Sequence, residues 1–184
     1  MLAAQSRSLG LAVFALAFSG LGSAQDEGMI PRWEVTALAE DVVKNIATGE
    51  KVLSDLRPQE WVQDGAPQAY VDQLLTLRSD LASATLSAEA LGRQPERLSY
   101  AVDTFLWLER SDSLLSSMSS GVRKYYNGAV ADLLDSARSR NVGNIATLKG
   151  YMRQLAVEIE RSMDIANSEA QRCRADLATK PQQP

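Results

Sequence analysis

Histidine is absent from the 184 residues of this sequence, and cysteine occurs once, at Cys173. Without histidine the chain cannot build Ser-His or Cys-His nucleophile pairs, and it lacks the ligand used by most zinc, haem and copper sites. Di-iron centres in helix bundles also depend on histidine. Catalysis would therefore have to use carboxylate, lysine or tyrosine side chains, and we expect no cofactor and no metal site.

One cysteine excludes a disulfide within the chain, so that packing has to stabilise the fold. A glycine-rich phosphate loop is also lacking, because Gly121 and Gly128 have the wrong spacing. The chain carries 19 Lys and Arg against 23 Asp and Glu, which leaves no basic footprint for nucleic acid. Basic side chains outnumber acidic ones in residues 121–184, whereas residues 25–120 have an excess of acidic side chains. This distribution favours pairing of the two parts within the domain over an anionic cell-envelope partner.

The first 24 residues have the pattern of a secretory signal peptide. Arg7 precedes an apolar run from Leu9 to Leu21, and small residues end the segment at Ala24. The run is shorter than the roughly 20 apolar residues that span a bilayer. We therefore expect cleavage after Ala24 and export to the periplasm or out of the cell, with no transmembrane anchor left on the mature chain.

After the leader, residues 25–31 are expected to form a linker, residues 32–178 a helical domain, and residues 179–184 a disordered tail. From Trp33 onward apolar residues recur every three or four positions, which is typical of α-helices. We predict an all-α fold, an antiparallel bundle of four long helices plus one shorter helix, with short connections between neighbours.

The apolar spacing also predicts where the helices lie. It indicates helices over residues 32–56, 67–92, from residue 95 onward, 128–140 and 145–178. Between the first two, Pro58 is expected to start a single turn that places Trp61 over the end of the core. Asn127 is the predicted cap of the shorter helix, and the sequence NVGN at residues 141–144 is expected to separate that helix from the last one.

The last helix has the most regular apolar stripe, with the spacing of a helix bundle or coiled coil. This stripe consists of Ile145, Leu148, Met152, Leu155, Ile159, Met163, Ala166, Ala170, Cys173 and Leu177. Because free cysteine is often buried, we predict that the Cys173 thiol is buried and structural. The alternatives are a disulfide to a second chain, or a redox-active thiol, for which a resolving cysteine is missing.

Aromatic residues are the candidates for contact with a partner. Trp107 either meets a second helix inside the domain, which its position favours, or anchors a partner. Tyr125 and Tyr126 lie beside two cations and form the other candidate surface, although a corner between two helices would use them equally well.

The densest group of carboxylates is Glu158, Glu160 and Asp164 on the last helix. They could act as an acid and base or hold a cation. Because Arg153 and Arg161 are close in sequence, the pattern favours a solvated face with ion pairs.

A helix bundle does not by itself select a function, so three hypotheses follow. The first is an exported, non-catalytic binding or scaffolding domain for a protein or cell-envelope partner. The second is a carrier of a small apolar ligand in a cavity lined by residues 82–88 and by Met118, Met152 and Met163. The third is a His-independent enzyme. The sequence leaves the partner and the oligomeric state open.

Overall fold

The computed structural model describes residues 30–179, and all regular secondary structure in that range is helical. Five helices follow one another: α1 (Arg32–Ser54), α2 (Pro58–Gln63), α3 (Ala69–Arg93), α4 (Leu98–Tyr125) and α5 (Gly128–Thr179). Among the long helices, α3 packs against α1 and α4, and α5 packs against α4 and α1. The four long helices therefore form a closed ring, and the predicted all-α antiparallel bundle is confirmed.

The predicted signal peptide, residues 1–24, lies outside the described part of the chain, as do residues 25–29 of the linker and residues 180–184 of the tail. At Ile30 the backbone N–H donates a hydrogen bond to Oε1 of Gln154, with 3.0 Å between the two atoms. Nearby, the buried hydroxyl of Tyr151 donates to the carbonyl oxygen of Pro95. The chain therefore enters the bundle beside α5, at the end where α3 passes into α4.

Two groups of buried apolar side chains form the core. The larger group spans most of the bundle and reaches Trp61 and Ala66 at one end. The smaller group lies at the opposite end and consists of Val35, Leu91, Ala101, Leu148, Tyr151 and Leu155. Since these six residues come from all four long helices, α5 is enclosed by the bundle as far as Leu155.

The short helix of the bundle is α2, and its position differs from the predicted one. Pro58 occupies an early position of α2, where its missing N–H costs nothing, and Gly65 with φ of 93° lies in the turn that follows. Trp61 is 2% exposed. The expected turn over the end of the core is therefore present, and it accounts for the fifth helix.

The predicted break at residues 141–144 is wrong, because α5 continues through this segment. Asn141 and Asn144 are both buried and face α1. Nδ2 of Asn45 donates to Oδ1 of Asn141 at 2.5 Å, and Nδ2 of Asn144 donates to Oδ2 of Asp41 at 3.3 Å. The asparagines thus bond to the neighbouring helix instead of to their own backbone, which removes their usual tendency to end a helix.

At the start of α5, the predicted cap is confirmed. Oδ1 of Asn127 accepts hydrogen bonds from the backbone N–H groups of Ala129 at 2.8 Å and Val130 at 3.3 Å. These bonds satisfy two of the donors that a helix leaves unpaired at its first turn.

Further along, α5 is joined to α4 by a polar network. Oγ of Ser119 donates to Oδ1 of Asp135 at 2.5 Å, and Nη2 of Arg123 bonds to Asp135 at 2.8 Å and to Asp132 at 2.7 Å. The hydrogen bond from Ser119, with a smaller contribution from Arg123, lowers the pKa of Asp135 below its usual value. Asp135 is therefore held as a carboxylate that stabilises the contact between the two helices.

Candidate functional site

The last part of α5 projects beyond the bundle. Every residue from 160 to 178 is exposed, although the helix continues through all of them. We call residues 160–178 the α5 extension; at 1.5 Å per residue it is about 28 Å long. Within residues 30–179 no other helix covers it, because α1 begins at Arg32, α3 ends at Arg93 and α4 begins at Leu98, all at the end of the bundle that α5 passes.

The α5 extension carries the second half of the apolar stripe into solvent. Met163 is 60% exposed and Leu177 is 69% exposed, and Ala166, Ala170 and Cys173 are exposed as well. Five turns of an α-helix take about 18 residues, so two residues 18 positions apart point in the same direction. Cys173 therefore points as Leu155 does, and the exposed stripe continues the direction that is buried within the bundle.

The prediction that the Cys173 thiol is buried is wrong. Cys173 is a free, exposed cysteine near the end of the α5 extension. It lies on the predicted apolar stripe, but the helices that would bury the stripe end before they reach it. An exposed thiol is open to reagents and to other chains, which leaves a disulfide to a second chain among the hypotheses.

Trp107 lies within the bundle instead of on a free surface. Its side chain is half-buried and packs against the larger core group. The guanidinium of Arg110 lies 5.7 Å from the centre of the Trp107 ring, and Nε of Arg110 is 2.7 Å from the buried carboxylate of Asp80. Trp107 thus covers the edge of the core and places Arg110 for an ion pair with α3.

Tyr125 and Tyr126 belong to an aromatic group at the other end of the bundle. Tyr126, which is 56% exposed, stacks on Trp61 with 6.4 Å between the ring centres. Tyr70 lies between Trp61 and Tyr125, at 6.1 Å and 6.0 Å, and its ring meets both edge to face. These contacts close the end of the core. The α5 extension, which carries Cys173, leaves from the opposite end. The structure therefore does not bring Cys173 together with Tyr125 and Tyr126.

Glu158, Glu160 and Asp164 are exposed on α5. Within residues 30–179, no group of three or more acidic or cysteine side chains has an arrangement that could hold a metal ion. The exposure of Glu158, Glu160 and Asp164 places all three carboxylates on a solvated face of α5.

A shallow open groove of about 440 Å³ lies between α1 and α3. It is lined by the small or apolar residues Ala39, Val43, Ala47 and Gly92 and by charged residues that include Glu89 and Arg93. This groove differs from the cavity that the carrier hypothesis predicted. Of the three methionines assigned to that cavity, Met118 is fully buried and Met163 lies on the α5 extension, so they do not share one wall.

Comparison of the chain with protein-family models, curated proteins and solved structures gave no significant match. None of the helices within residues 30–179 is long and apolar enough to cross a membrane.

Sequence reasoning identified the residues of the exposed stripe but assigned them to the core. One signal for the correct assignment was present in the helix lengths. The predicted last helix, residues 145–178, was already the longest of the predicted helices with both ends assigned. The structure joins it through residues 141–144 to the predicted helix at 128–140, so that α5 has 52 residues beside long helices of 23 to 28. A helix twice as long as its neighbours cannot be covered by them along its whole length.

Proposed function

We propose that this protein is an exported, non-catalytic binding or scaffolding protein whose docking element is the α5 extension. The single observation that carries the proposal is a continuous helix with an apolar stripe that no helix of the bundle covers. Most of the stability of an amphipathic helix in a protein comes from packing of its apolar face, and the bundle does not supply that packing to the α5 extension. A partner that covers the stripe would supply that packing.

The rest of the chain supports a role in binding. The lack of histidine removes the commonest general base and nucleophile partner. Contacts between parts of the bundle involve four of its polar or aromatic side chains, namely Trp107, Asp80, Asp135 and Tyr151. The expectation of export is based on the leader-like first 24 residues and determines where a partner, either a protein or another component of the cell envelope, would be met.

Site-specific photo-crosslinking in the cell tests this proposal. A photoreactive amino acid at position 163 lies on the stripe, whereas one at position 165 lies on the same helix outside the stripe and has a similarly exposed natural side chain, 53% for Ile165. We expect a discrete crosslinked product from position 163 and little or none from position 165. Equal crosslinking from both positions, or none from position 163, would contradict the proposal.

The groove between α1 and α3 supports a second candidate function, the carriage of a small apolar ligand. The small and apolar residues in its lining and its volume suit such a ligand. An environment-sensitive apolar dye would bind the natural protein, and Val43→Trp, which fills the groove, would abolish the binding. Binding that the substitution leaves unchanged would remove this candidate.

A further inference from the structure

We infer that the α5 extension docks against the α5 extension of a second copy of this chain, with the two helices running in opposite directions. The inference rests on the proposed function, since it names the partner of the same docking element. It is carried by three observations: the direction of the exposed stripe, the spacing of its residues and the charges beside it.

The direction of the stripe disfavours a parallel pair in register. In such a pair the second copy of α5 would run along the whole face of α5 that carries both Leu155 and Cys173. At Leu155 that face is already occupied, because Val35 of α1, Leu91 of α3 and Ala101 of α4 pack there in the smaller core group. An antiparallel partner avoids the clash, because its own bundle then lies beyond the end of the first extension.

The spacing of the stripe suits an antiparallel copy of itself. From Ile159 to Leu177 its residues are separated by four, three, four, three and four positions, which reads the same in both directions. A two-fold axis near Ser168 therefore sets apolar residues against apolar residues. It places Ile159 beside Leu177, Met163 beside Cys173 and Ala166 beside Ala170 of the second copy. The two alanines at the centre allow the helices to approach closely.

The charges next to the stripe also favour this arrangement. Glu160 and Arg174 lie 14 positions apart, which is two heptads, so they flank the same side of the stripe near its two ends. In the antiparallel pair each Glu160 lies close to Arg174 of the other copy, and the contact occurs twice. Glu169 lies near the axis and meets its own counterpart, so one like-charge contact opposes the two attractive ones.

Disulfide trapping measures the register. In the proposed pair the two Cys173 residues are about 15 Å apart along the axis, too far for a disulfide, whereas Cys173 is level with position 163 of the other copy. We expect the variant Met163→Cys to form a reducible dimer in oxidised glutathione. In each new bond two thiols lose two electrons and two protons, and oxidised glutathione is reduced to two thiols. The natural chain and Ile165→Cys should remain largely monomeric on a denaturing gel.

Two outcomes of the trapping would overturn the inference. A disulfide dimer of the natural chain, formed as fast as that of Met163→Cys, would mean that the Cys173 residues meet and that the helices are not in this register. Equal trapping of Ile165→Cys would mean that the extensions collide without a specific face.

Sedimentation equilibrium over a series of concentrations gives a second, non-covalent measurement. We expect a monomer–dimer equilibrium whose dissociation constant rises at least about tenfold in Met163→Asp and changes less than about twofold in Ile165→Asp. Glu169→Gln should tighten the dimer, because it removes the like-charge contact. A chain that stays monomeric at every concentration would overturn the inference. If position 163 nevertheless crosslinks to a different protein in the cell, the proposed function stands and only the identity of the partner is wrong.

Discussion

Leu155 and Cys173 lie on the same face of one helix, five turns apart, yet Leu155 is 6% exposed and buried whereas Cys173 is exposed. Three other helices surround the first residue, and none of them reaches the second. Two residues on the same face of a helix thus differ in burial, because one lies inside the bundle and the other lies beyond its end. Because the two residues share a direction, the face that is buried within the bundle continues as the proposed docking surface where α5 leaves the bundle.

The reactivity of Cys173 follows from this difference. We expect a thiol reagent such as an aromatic disulfide to label the native protein at a rate similar to that of the denatured chain, since no side chain of the bundle shields the sulfur. Cys173→Ala should change the free energy of unfolding by less than about 0.5 kcal/mol. Slow labelling at low protein concentration, where a dimer would dissociate, would show that the thiol is covered within one chain.

Truncation of residues along the stripe should show where the bundle ends. Leu155→Ala should lower the free energy of unfolding by about 2–5 kcal/mol, because it leaves a cavity in the smaller core group. Leu177→Ala, the same change on the same face, should cost less than about 0.5 kcal/mol, as should Glu160→Ala. For the half-buried Ile159, the loss in the free energy of unfolding caused by Ile159→Ala should lie between these values. Urea unfolding at low protein concentration measures all four, and equal losses for Leu155 and Leu177 would mean that the extension is packed.

Two glycines within helices should respond to alanine in opposite ways. At Gly121 an added Cβ would lie 2.6 Å from Cε1 of Tyr70, whose ring is held between Trp61 and Tyr125. Gly121→Ala should therefore destabilise the protein by about 1–3 kcal/mol, since the ring has to move.

Gly143 is the matched control in α5, because in the described part of the chain no atom apart from the adjacent helix backbone lies within 4 Å of a Cβ added there. Gly143→Ala should stabilise the protein by about 0.5–1 kcal/mol through helix propensity. Thermal unfolding of both variants checks the pair, and a destabilised Gly143→Ala would contradict the continuous helix through residues 141–144.

The network around Asp135 predicts a dependence of stability on pH. Because the folded state lowers the pKa of Asp135, ionised Asp135 stabilises the fold above its usual pKa, and this contribution is lost as the pH falls through the lowered value. Asp135→Asn should be less stable than the natural protein at pH 7, and the difference should shrink as the pH falls below the usual range of an aspartate pKa.

Ser119→Ala removes the hydrogen bond that contributes most to the lowered pKa of Asp135. It should therefore weaken the dependence of the free energy of unfolding on pH in the acid range. Asp103→Asn, a change at an exposed carboxylate, serves as the control. Unfolding by urea at a series of pH values measures the effect. A difference between Asp135→Asn and the natural protein that does not change as the pH falls below the usual range of an aspartate pKa would refute this role for Asp135.

Much of the fold could be predicted from local pattern. The three-four spacing of apolar residues predicted the helical class and most helix positions, because a helix that buries one face needs that spacing wherever it occurs. The cap at Asn127 and the turn at Pro58 also depend on short-range geometry, and both are present. The break at residues 141–144 was predicted wrongly, because the partners of Asn141 and Asn144 are on α1, about 100 residues away in sequence.

In the candidate site, too, local pattern predicted one property and distant contacts decided another. The sequence by itself determined that residues 145–177 carry one apolar stripe with Cys173 on it, since that depends only on helical periodicity. Whether a given part of the stripe is buried depends on how far the other helices extend beside it, and only the tertiary structure decided that they end near Ile159. Burial is a property of the surroundings, so an identical pattern forms the core on one side of that boundary and an exposed face on the other.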